Sequence, residues 1–130
     1  MTAADPGREV DVERVLCTLG ELEDPGARAF KVGRGDWPLS GFVVRRGAQV
    51  HAYVNRCPHA GHPLNLRPHD FLTLDKSLVQ CRSHGALFEL TTGLCIAGPC
   101  AGAALRRVPV EVEDGYVLLA PGVRPEAFAD

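Results

Sequence analysis

Cys57-Pro58-His59 and Cys81-Arg82-Ser83-His84 are two short stretches in which a cysteine is closely followed by a histidine. The first has the pattern C-x-H and the second the pattern C-x-x-H, with residues 60–80 between them. Cysteine sulfur and histidine nitrogen are the ligands that zinc and iron–sulfur centres prefer in proteins. Two such residues on one tight loop can both reach a small inorganic group, and a second loop alongside can close the shell around it. The candidate ligands are therefore Cys57, His59, Cys81 and His84.

Two kinds of metal site compete for these four residues. A single zinc ion bound by two cysteines and two histidines is chemically sound, but zinc sites of that composition usually take both cysteines from one pair and both histidines from the other. Here each pair is mixed, with the cysteine first. Mixed pairs suit a binuclear iron–sulfur cluster that has two cysteines on one iron and two histidines on the other. A zinc site, or a domain without any cluster, remains the alternative.

In these stretches the chain resembles the Rieske-type ferredoxins. Residues 57–64 and 81–88 look like the two cluster-binding loops of that family, and the resemblance covers about residues 30–119. It includes three downstream motifs: Thr92-Gly93, Gly98-Pro99 and residues 105–110. The resemblance implies a Rieske-type 2Fe–2S cluster bound by the four candidate ligands, with Gly98-Pro99 in a third loop that shields the cluster from water.

The length and composition favour one β-rich domain. The 130 residues amount to a single unit, so we assign residues 1–130 to one Rieske 2Fe–2S domain. Fourteen glycines and ten prolines, with few helical patterns, favour an all-β fold. We expect a Rieske-like fold, in which an antiparallel β-sheet base carries a small inserted cluster-binding lobe at about residues 57–90. Residues 1–9 and 121–130 are expected to be loose tails.

Local patterns predict most of the elements. We expect strands at residues 10–19, 27–32, 41–45, 48–55, 78–80 and 86–90, a hairpin at 107–119 and a helical turn at 20–23. Asp114-Gly115 is the strongest two-residue hairpin signal in the chain. In residues 48–55, strict alternation puts Val50 and Val54 on one face and His51 and Tyr53 on an opposite, polar face, so His51 is not expected to be a ligand. Three apolar residues between the ligand loops are expected to fold back over the core: Phe71, Leu72 and Leu74.

The remaining histidines and cysteines are given structural roles. We interpret His62 as a rim residue that faces solvent and His69 as a surface histidine. Cys17 is interpreted as a small buried apolar residue. Cys95 and Cys100 are interpreted as structural thiols, because a cytoplasmic protein is normally kept reduced. A disulfide between these two cysteines is the alternative.

The resemblance also bears on the reduction potential. In the high-potential proteins of this family each ligand loop carries a further cysteine, and the two form a disulfide; His62 and Ser83 stand at the matching positions, so that bridge cannot form. Those proteins also have a serine and a tyrosine whose hydroxyls donate to cluster and ligand sulfur, where this chain has Ala86 and Phe88. Fewer hydrogen bonds to sulfur favour the oxidised cluster. We therefore expect a low-potential, ferredoxin-like protein.

Charge and hydropathy exclude several kinds of partner. The net charge of −2 is too small to suggest nucleic acid or an anionic membrane as a partner. The N-terminus lacks the apolar region of a secretory signal, and no apolar run reaches the length of about 18 residues that spans a membrane. We therefore expect a cytoplasmic protein without a membrane partner.

The family resemblance implies an electron carrier rather than an enzyme. The chain is too short to add the catalytic domain of a Rieske oxygenase. We expect a soluble one-electron carrier that passes electrons from a reductase, such as a flavin reductase, to a terminal oxygenase or a similar redox enzyme. The alternative is a permanently bound redox subunit, similar to the small subunit of assimilatory nitrite reductases. Arg56, Arg67 and Arg82 flank the ligand loops and form either a basic rim for an acidic partner or ordinary solvated arginines.

Overall fold

The computed structural model describes residues 14–33, 38–58 and 61–128. Within these ranges the regular structure is β-strand, apart from short 3-10 helices at Leu19–Glu21 and Pro125–Phe128, which confirms the all-β prediction. None of the helices in these ranges is long and apolar enough to cross a membrane. The strands are β1 Val15–Thr18, β2 Gly26–Val32, β3 Leu39–Arg46, β4 Gln49–Val54, β5 Leu78–Gln80, β6 Leu87–Glu89, β7 Cys95–Ala97, β8 Arg107–Val108, β9 Val110–Glu113 and β10 Tyr116–Leu119.

The strands form three antiparallel sheets. The main sheet has the order β2-β3-β4-β8, the second sheet has the order β1-β10-β9, and the lobe sheet has the order β5-β6-β7. Between β8 and β9 the chain passes from the main sheet to the second sheet at Pro109. Proline has no N–H to donate to a sheet, so it interrupts the strand at this point. The main and second sheets form the base that the sequence predicted.

The main sheet is buried on both faces. Val43 and Val54 point into a base core between the main and second sheets, whereas Phe42 and Tyr53 point into a lobe core. The Tyr53 hydroxyl donates to the Leu90 carbonyl oxygen at 2.8 Å. The predicted polar face of β4 is therefore wrong at Tyr53, because the lobe covers that face. His51 lies at its margin, with Nδ1 3.0 Å from the Arg107 guanidinium.

The last hairpin follows its turn signal. Glu113 pairs with Tyr116, which leaves Asp114 and Gly115 as the two turn residues. Their φ angles are 52° and 81°, as a type I′ turn requires at both central positions. Asparagine, aspartate and glycine tolerate this left-handed region best. The prediction of a hairpin at this dipeptide is confirmed.

The lobe is larger than the sequence predicted. Strand β7, Cys95–Ala97, pairs with β6, so the lobe sheet extends beyond residue 90. Phe71 is fully buried and its ring stacks on the Phe42 ring at a centroid distance of 4.3 Å. Leu72 packs against the lobe core. Leu74, in contrast, is completely exposed, so the prediction that it covers the core is wrong.

The C-terminal segment docks on the base. Phe128 packs against the base core, and the Arg106 guanidinium lies 4.5 Å from the centre of its ring. Arg106 also donates to the Ala127 carbonyl oxygen at 3.0 Å. These contacts contradict a loose tail for the described part of residues 121–130. The predicted N-terminal tail at residues 1–9 and the predicted strand before Arg14 lie outside the described residues.

Candidate metal centre

The first ligand loop, residues 57–62, is closed by two backbone hydrogen bonds. The Cys57 N–H donates to the His62 carbonyl oxygen at 2.7 Å, and the Gly61 N–H donates back to the Cys57 carbonyl oxygen at 2.8 Å. Gly61 has a φ of 74°, a left-handed conformation that glycine adopts without steric cost. Cys57 is therefore hydrogen-bonded to both Gly61 and His62 at the end of this loop.

The second ligand loop, residues 81–86, repeats this arrangement. The Cys81 N–H donates to the Ala86 carbonyl oxygen at 2.9 Å, and the Gly85 N–H donates to the Cys81 carbonyl oxygen at 2.8 Å. Gly85 has a φ of 76°, within 2° of the value at Gly61. Both loops thus use the same two bonds at the same spacing, although one carries C-x-H and the other C-x-x-H.

The two loops lie side by side. The Arg82 N–H in the second loop donates to the carbonyl oxygen of Leu64, which is fully buried just beyond the first loop. The rings of His62 and His84 have centroids 6.4 Å apart, and both residues are exposed. The prediction that His62 is a solvent-facing rim residue agrees with this position. The loops therefore open on one common surface.

The candidate ligands divide between interior and surface. Cys57 and Cys81 are 1% and 0% exposed, whereas His84 is exposed. His59 lies outside the described residues, so the fourth candidate has no described position. In the described part of the chain no three His, Cys, Asp or Glu side chains are grouped closely enough to hold a metal ion. A binuclear cluster does not need such a group, because its cysteines and its histidines bind different irons.

The donor atoms of the two loops suit a small inorganic group. A Cβ added to Gly61 or to Gly85 would meet no other atom within 4 Å. The two buried sulfurs of Cys57 and Cys81 and the exposed imidazole of His84 are three of the four donors that a Rieske cluster takes. The described residues therefore fit a 2Fe–2S group.

Asn55, at the end of β4, fixes the exit of the first loop. Its Oδ1 accepts the Leu64 N–H at 2.8 Å, and its Nδ2 donates to the Asn65 Oδ1 at 2.8 Å. No role was predicted for Asn55 from the sequence. Its side-chain amide, which can donate and accept hydrogen bonds at once, lies two residues before a ligand cysteine, and this position in the sequence could have indicated its role.

Arg82 ties the segment between the loops to the second loop. Its Nη2 lies 2.6 Å from Asp70 Oδ1 and donates to the Leu72 carbonyl oxygen at 2.8 Å. Its Nη1 donates to the Gln80 Oε1 at 2.8 Å. Arg82 therefore has a structural role as an ion-pair partner of Asp70. This role differs from both predictions for Arg82, a basic rim for a partner and an ordinary solvated arginine. His69 is exposed as predicted, and its Nδ1 accepts the backbone N–H of Ala29.

A third loop packs against the other two. Gly98 has a φ of 99°, and a Cβ there would lie 2.8 Å from the Ala86 Cα, so only glycine allows this close approach. The Cys95 and Cys100 Sγ atoms are 3.2 Å apart. All five cysteines of the chain are described, and none is in a disulfide, which agrees with the predicted thiols.

Burial opposes the ionisation of two thiols of the protein, those of Cys100 and Cys17. Burial raises the pKa of the Cys100 thiol to about 12, with further contributions from the Cys95 thiol, 3.2 Å away, and from the Cys57 thiol. Burial likewise raises the pKa of Cys17, in the base core, to about 11. Cys100 and Cys17 are therefore protonated near neutral pH.

Comparison with known proteins identifies the domain. The profile of the Rieske [2Fe-2S] domain family matches residues 14–113. The ferredoxin CarAc of Metapseudomonas resinovorans is 32% identical over 107 residues, which make up 81% of this chain and 90% of CarAc. The ferredoxin of carbazole 1,9a-dioxygenase from Nocardioides aromaticivorans IC177 has a similar structure, with a TM-score of 0.63 and 31% identity over 82% of this chain and 95% of that one.

A much longer protein shares the same region. Apoptosis-inducing factor 3 of Homo sapiens is 32% identical over 88 residues, which make up 68% of this chain. The matched region is only 13% of that relative. The similarity to this relative therefore concerns one region of a larger protein.

Proposed function

The chain belongs to the Rieske [2Fe-2S] domain family, and on this premise we propose that Cys57 and Cys81 bind one iron of a 2Fe–2S cluster and His59 and His84 bind the other. The observation that supports this proposal best is the pair of matched loops. Each loop begins with a buried cysteine and is closed by the same two backbone hydrogen bonds. The exposed His84 follows Cys81 on the second loop. In the sequence, His59 follows Cys57 by two residues.

The proposed activity is one-electron transfer without catalysis. A bound cluster of this kind takes up and releases one electron at a potential that depends on hydrogen bonds to its sulfurs. The protein would fill every ligand position, so no site is left for a substrate. Cys57 and Cys81 lie in the dry interior, while the imidazole of His84 reaches the surface and provides the exit toward a partner.

The proposed partners are a reductase that supplies the electron and an oxygenase that consumes it. Two of the similar proteins are ferredoxins, and one of them is the ferredoxin of a carbazole 1,9a-dioxygenase. The rim around His62 and His84 is the proposed docking surface, because both rings are exposed beside the loop openings. We place this carrier in the cytoplasm, where the five thiols would stay reduced.

A permanently bound redox module is the second candidate. The match to a small region of apoptosis-inducing factor 3 favours it, since that relative carries the similar region within a much longer chain. The two candidates differ in how the isolated protein behaves. A diffusing carrier stays folded and keeps its cluster when it is purified alone, whereas a bound module loses the cluster or aggregates.

The ligand assignment is tested with a matched pair of histidine variants. His84→Ala should lose most of the iron and sulfide, while His51→Ala should keep both, because His51 lies on β4 beside Arg107 and not on a ligand loop. The electron transfer is tested by reducing the wild-type protein with dithionite and mixing it with ferricytochrome c. One electron per chain should pass, with the oxidised visible spectrum restored. A colourless wild-type protein that contains zinc, or one that cannot be reduced, would refute the proposal.

A further inference from the structure

Arg82 joins three segments of the lobe at the start of the second ligand loop. Its backbone N–H donates to the Leu64 carbonyl oxygen, and its Nη1 donates to the Gln80 Oε1, both at 2.8 Å. Its Nη2 donates to the Leu72 carbonyl oxygen at 2.8 Å and lies 2.6 Å from the Asp70 Oδ1. The guanidinium is therefore fixed by contacts with a side-chain amide, a backbone carbonyl and a carboxylate.

The charge of Arg82 is close to a proposed ligand and partly removed from water. Arg82 directly follows Cys81 in the chain, and consecutive Cα atoms lie about 3.8 Å apart, so its side chain starts beside the backbone of that ligand. The Arg82 side chain is 28% exposed, and its Nε is buried without a hydrogen-bond partner among the described residues. Water and salt screen a partly buried charge less than an exposed one. The guanidinium therefore acts on the second ligand loop through a medium less polar than water.

Asp70 supplies the opposing charge. Its side chain is 35% exposed, so both members of the ion pair are partly buried. Residues 55–88 contain one other acidic residue, Asp75, which binds its own turn instead: its Oδ1 accepts the hydroxyls of Thr73 and Ser77, both at 2.7 Å. The Arg82–Asp70 pair thus brings one positive and one negative charge to the second ligand loop, and these two charges largely cancel.

We propose that the Arg82–Asp70 ion pair tunes the reduction potential of the cluster, with Arg82 favouring the reduced state and Asp70 cancelling most of that effect. This role rests on the proposed function, since it requires the bound cluster. Reduction adds one negative charge to the cluster, so a fixed positive charge nearby stabilises the reduced state and a fixed negative charge destabilises it. Asp70 thereby keeps the potential low in a protein that carries an arginine next to a ligand cysteine.

Optically monitored redox titrations in low salt test the sign of each charge. Asp70→Asn leaves the Arg82 charge uncancelled and should shift the equilibrium toward the reduced state about threefold, which is about 28 mV for a one-electron couple. Arg82→Gln leaves the Asp70 charge uncancelled and should shift the equilibrium toward the oxidised state by a similar factor. Arg82→Lys keeps the positive charge without the planar guanidinium and should stay close to the wild type. The double variant with Asp70→Asn and Arg82→Gln, which lacks both charges, should also stay close to the wild type.

An ion pair at the second sheet provides a matched control. Arg14 and Glu111 lie 3.2 Å apart, and their side chains are 27% and 43% exposed, similar to those of Arg82 and Asp70. Glu111→Gln also removes one negative charge, but at the base of the molecule, and should leave the potential unchanged. High salt should reduce the opposite shifts of the two single variants, because it screens partly exposed charges.

Iron and sulfide analysis separates this role from the proposed function. A wild-type protein without a cluster would refute the proposed function. Intact clusters with wild-type potentials in Asp70→Asn and Arg82→Gln would refute the role of the ion pair alone. Shifts of the same sign in both variants would also refute it, because they would reflect loop packing and not charge. If one of these variants does not retain the cluster, the other decides against its charge-preserving partner, Asp70→Glu or Arg82→Lys.

Discussion

Replacement of Asn55 by alanine should loosen the exit of the first ligand loop and speed the loss of the cluster. Asn55 makes two side-chain hydrogen bonds of 2.8 Å, one with the Leu64 N–H and one with Asn65. Leu64 is fully buried. Leaving its N–H without a partner costs about 1–3 kcal/mol, and the half-buried amide–amide bond adds about 0.5–1.5 kcal/mol. We therefore expect the loop to be destabilised by about 2–4 kcal/mol.

This destabilisation is best measured as a rate. Loss of an iron–sulfur cluster is not a two-state equilibrium, so the decay of visible absorbance at fixed temperature and urea concentration is the suitable assay. If the loop must open before the cluster leaves, a loss of 2 kcal/mol speeds release about 30-fold.

Two matched variants control this experiment. Asn65→Ala removes the Asn65 partner but keeps the bond to the Leu64 N–H. It should speed release by about 2- to 13-fold, less than Asn55→Ala does. Asn55→Asp keeps an oxygen that can accept the Leu64 N–H and should release the cluster more slowly than Asn55→Ala. A cluster lifetime in Asn55→Ala equal to that of the wild type would refute the role given to this residue.

Three further predictions concern sulfur, charge and burial. The midpoint reduction potential of the wild-type protein is expected at about −150 to 0 mV, in the lower part of the class range. Phe88→Tyr should raise this potential if the added hydroxyl reaches the Cys57 sulfur. Voltammetry measures both proteins, and a wild-type value near +300 mV would contradict the ferredoxin interpretation. Asp70→Asn removes the charged partner of Arg82 and should lower the free energy of unfolding in low salt by about 1 kcal/mol, because the ion pair is partly exposed. An equal loss in Asp70→Glu, which keeps the charge, would show that the shape of the side chain matters and not its charge. Cys17, whose pKa is raised to about 11, should have about a thousandth of its thiol ionised at pH 8; rapid alkylation of Cys17 in the folded protein at that pH would contradict its burial.

Features set by neighbouring residues were predictable from the sequence. The Asp114-Gly115 turn formed where it was predicted, because the conformational preference of two adjacent residues decides it. The ligand loops were recognisable for a similar reason, since each cysteine lies within three residues of its histidine. Two ligands on one short loop must lie close together in the sequence, so their spacing is visible without knowledge of the fold.

Features that join distant segments were not predictable. Alternation in β4 indicated a polar face, but Tyr53 is buried because Leu90 and the rest of the lobe pack over it. Nothing in the local sequence marks Leu74 as exposed while Phe71 is buried. The close packing of Gly98 against Ala86 of the second ligand loop also depends on how the third loop folds back, and spacing along the chain does not reveal it.

Mössbauer spectroscopy of protein grown on iron-57 tests the central claim most directly. If two cysteines bind one iron and two histidines bind the other, the oxidised protein should show two distinct iron sites in equal amounts. On reduction, the added electron should change mainly the histidine-bound site, because neutral imidazoles leave that iron less negative. A single iron environment, unequal sites, or a purified protein that contains zinc and no iron would contradict the account.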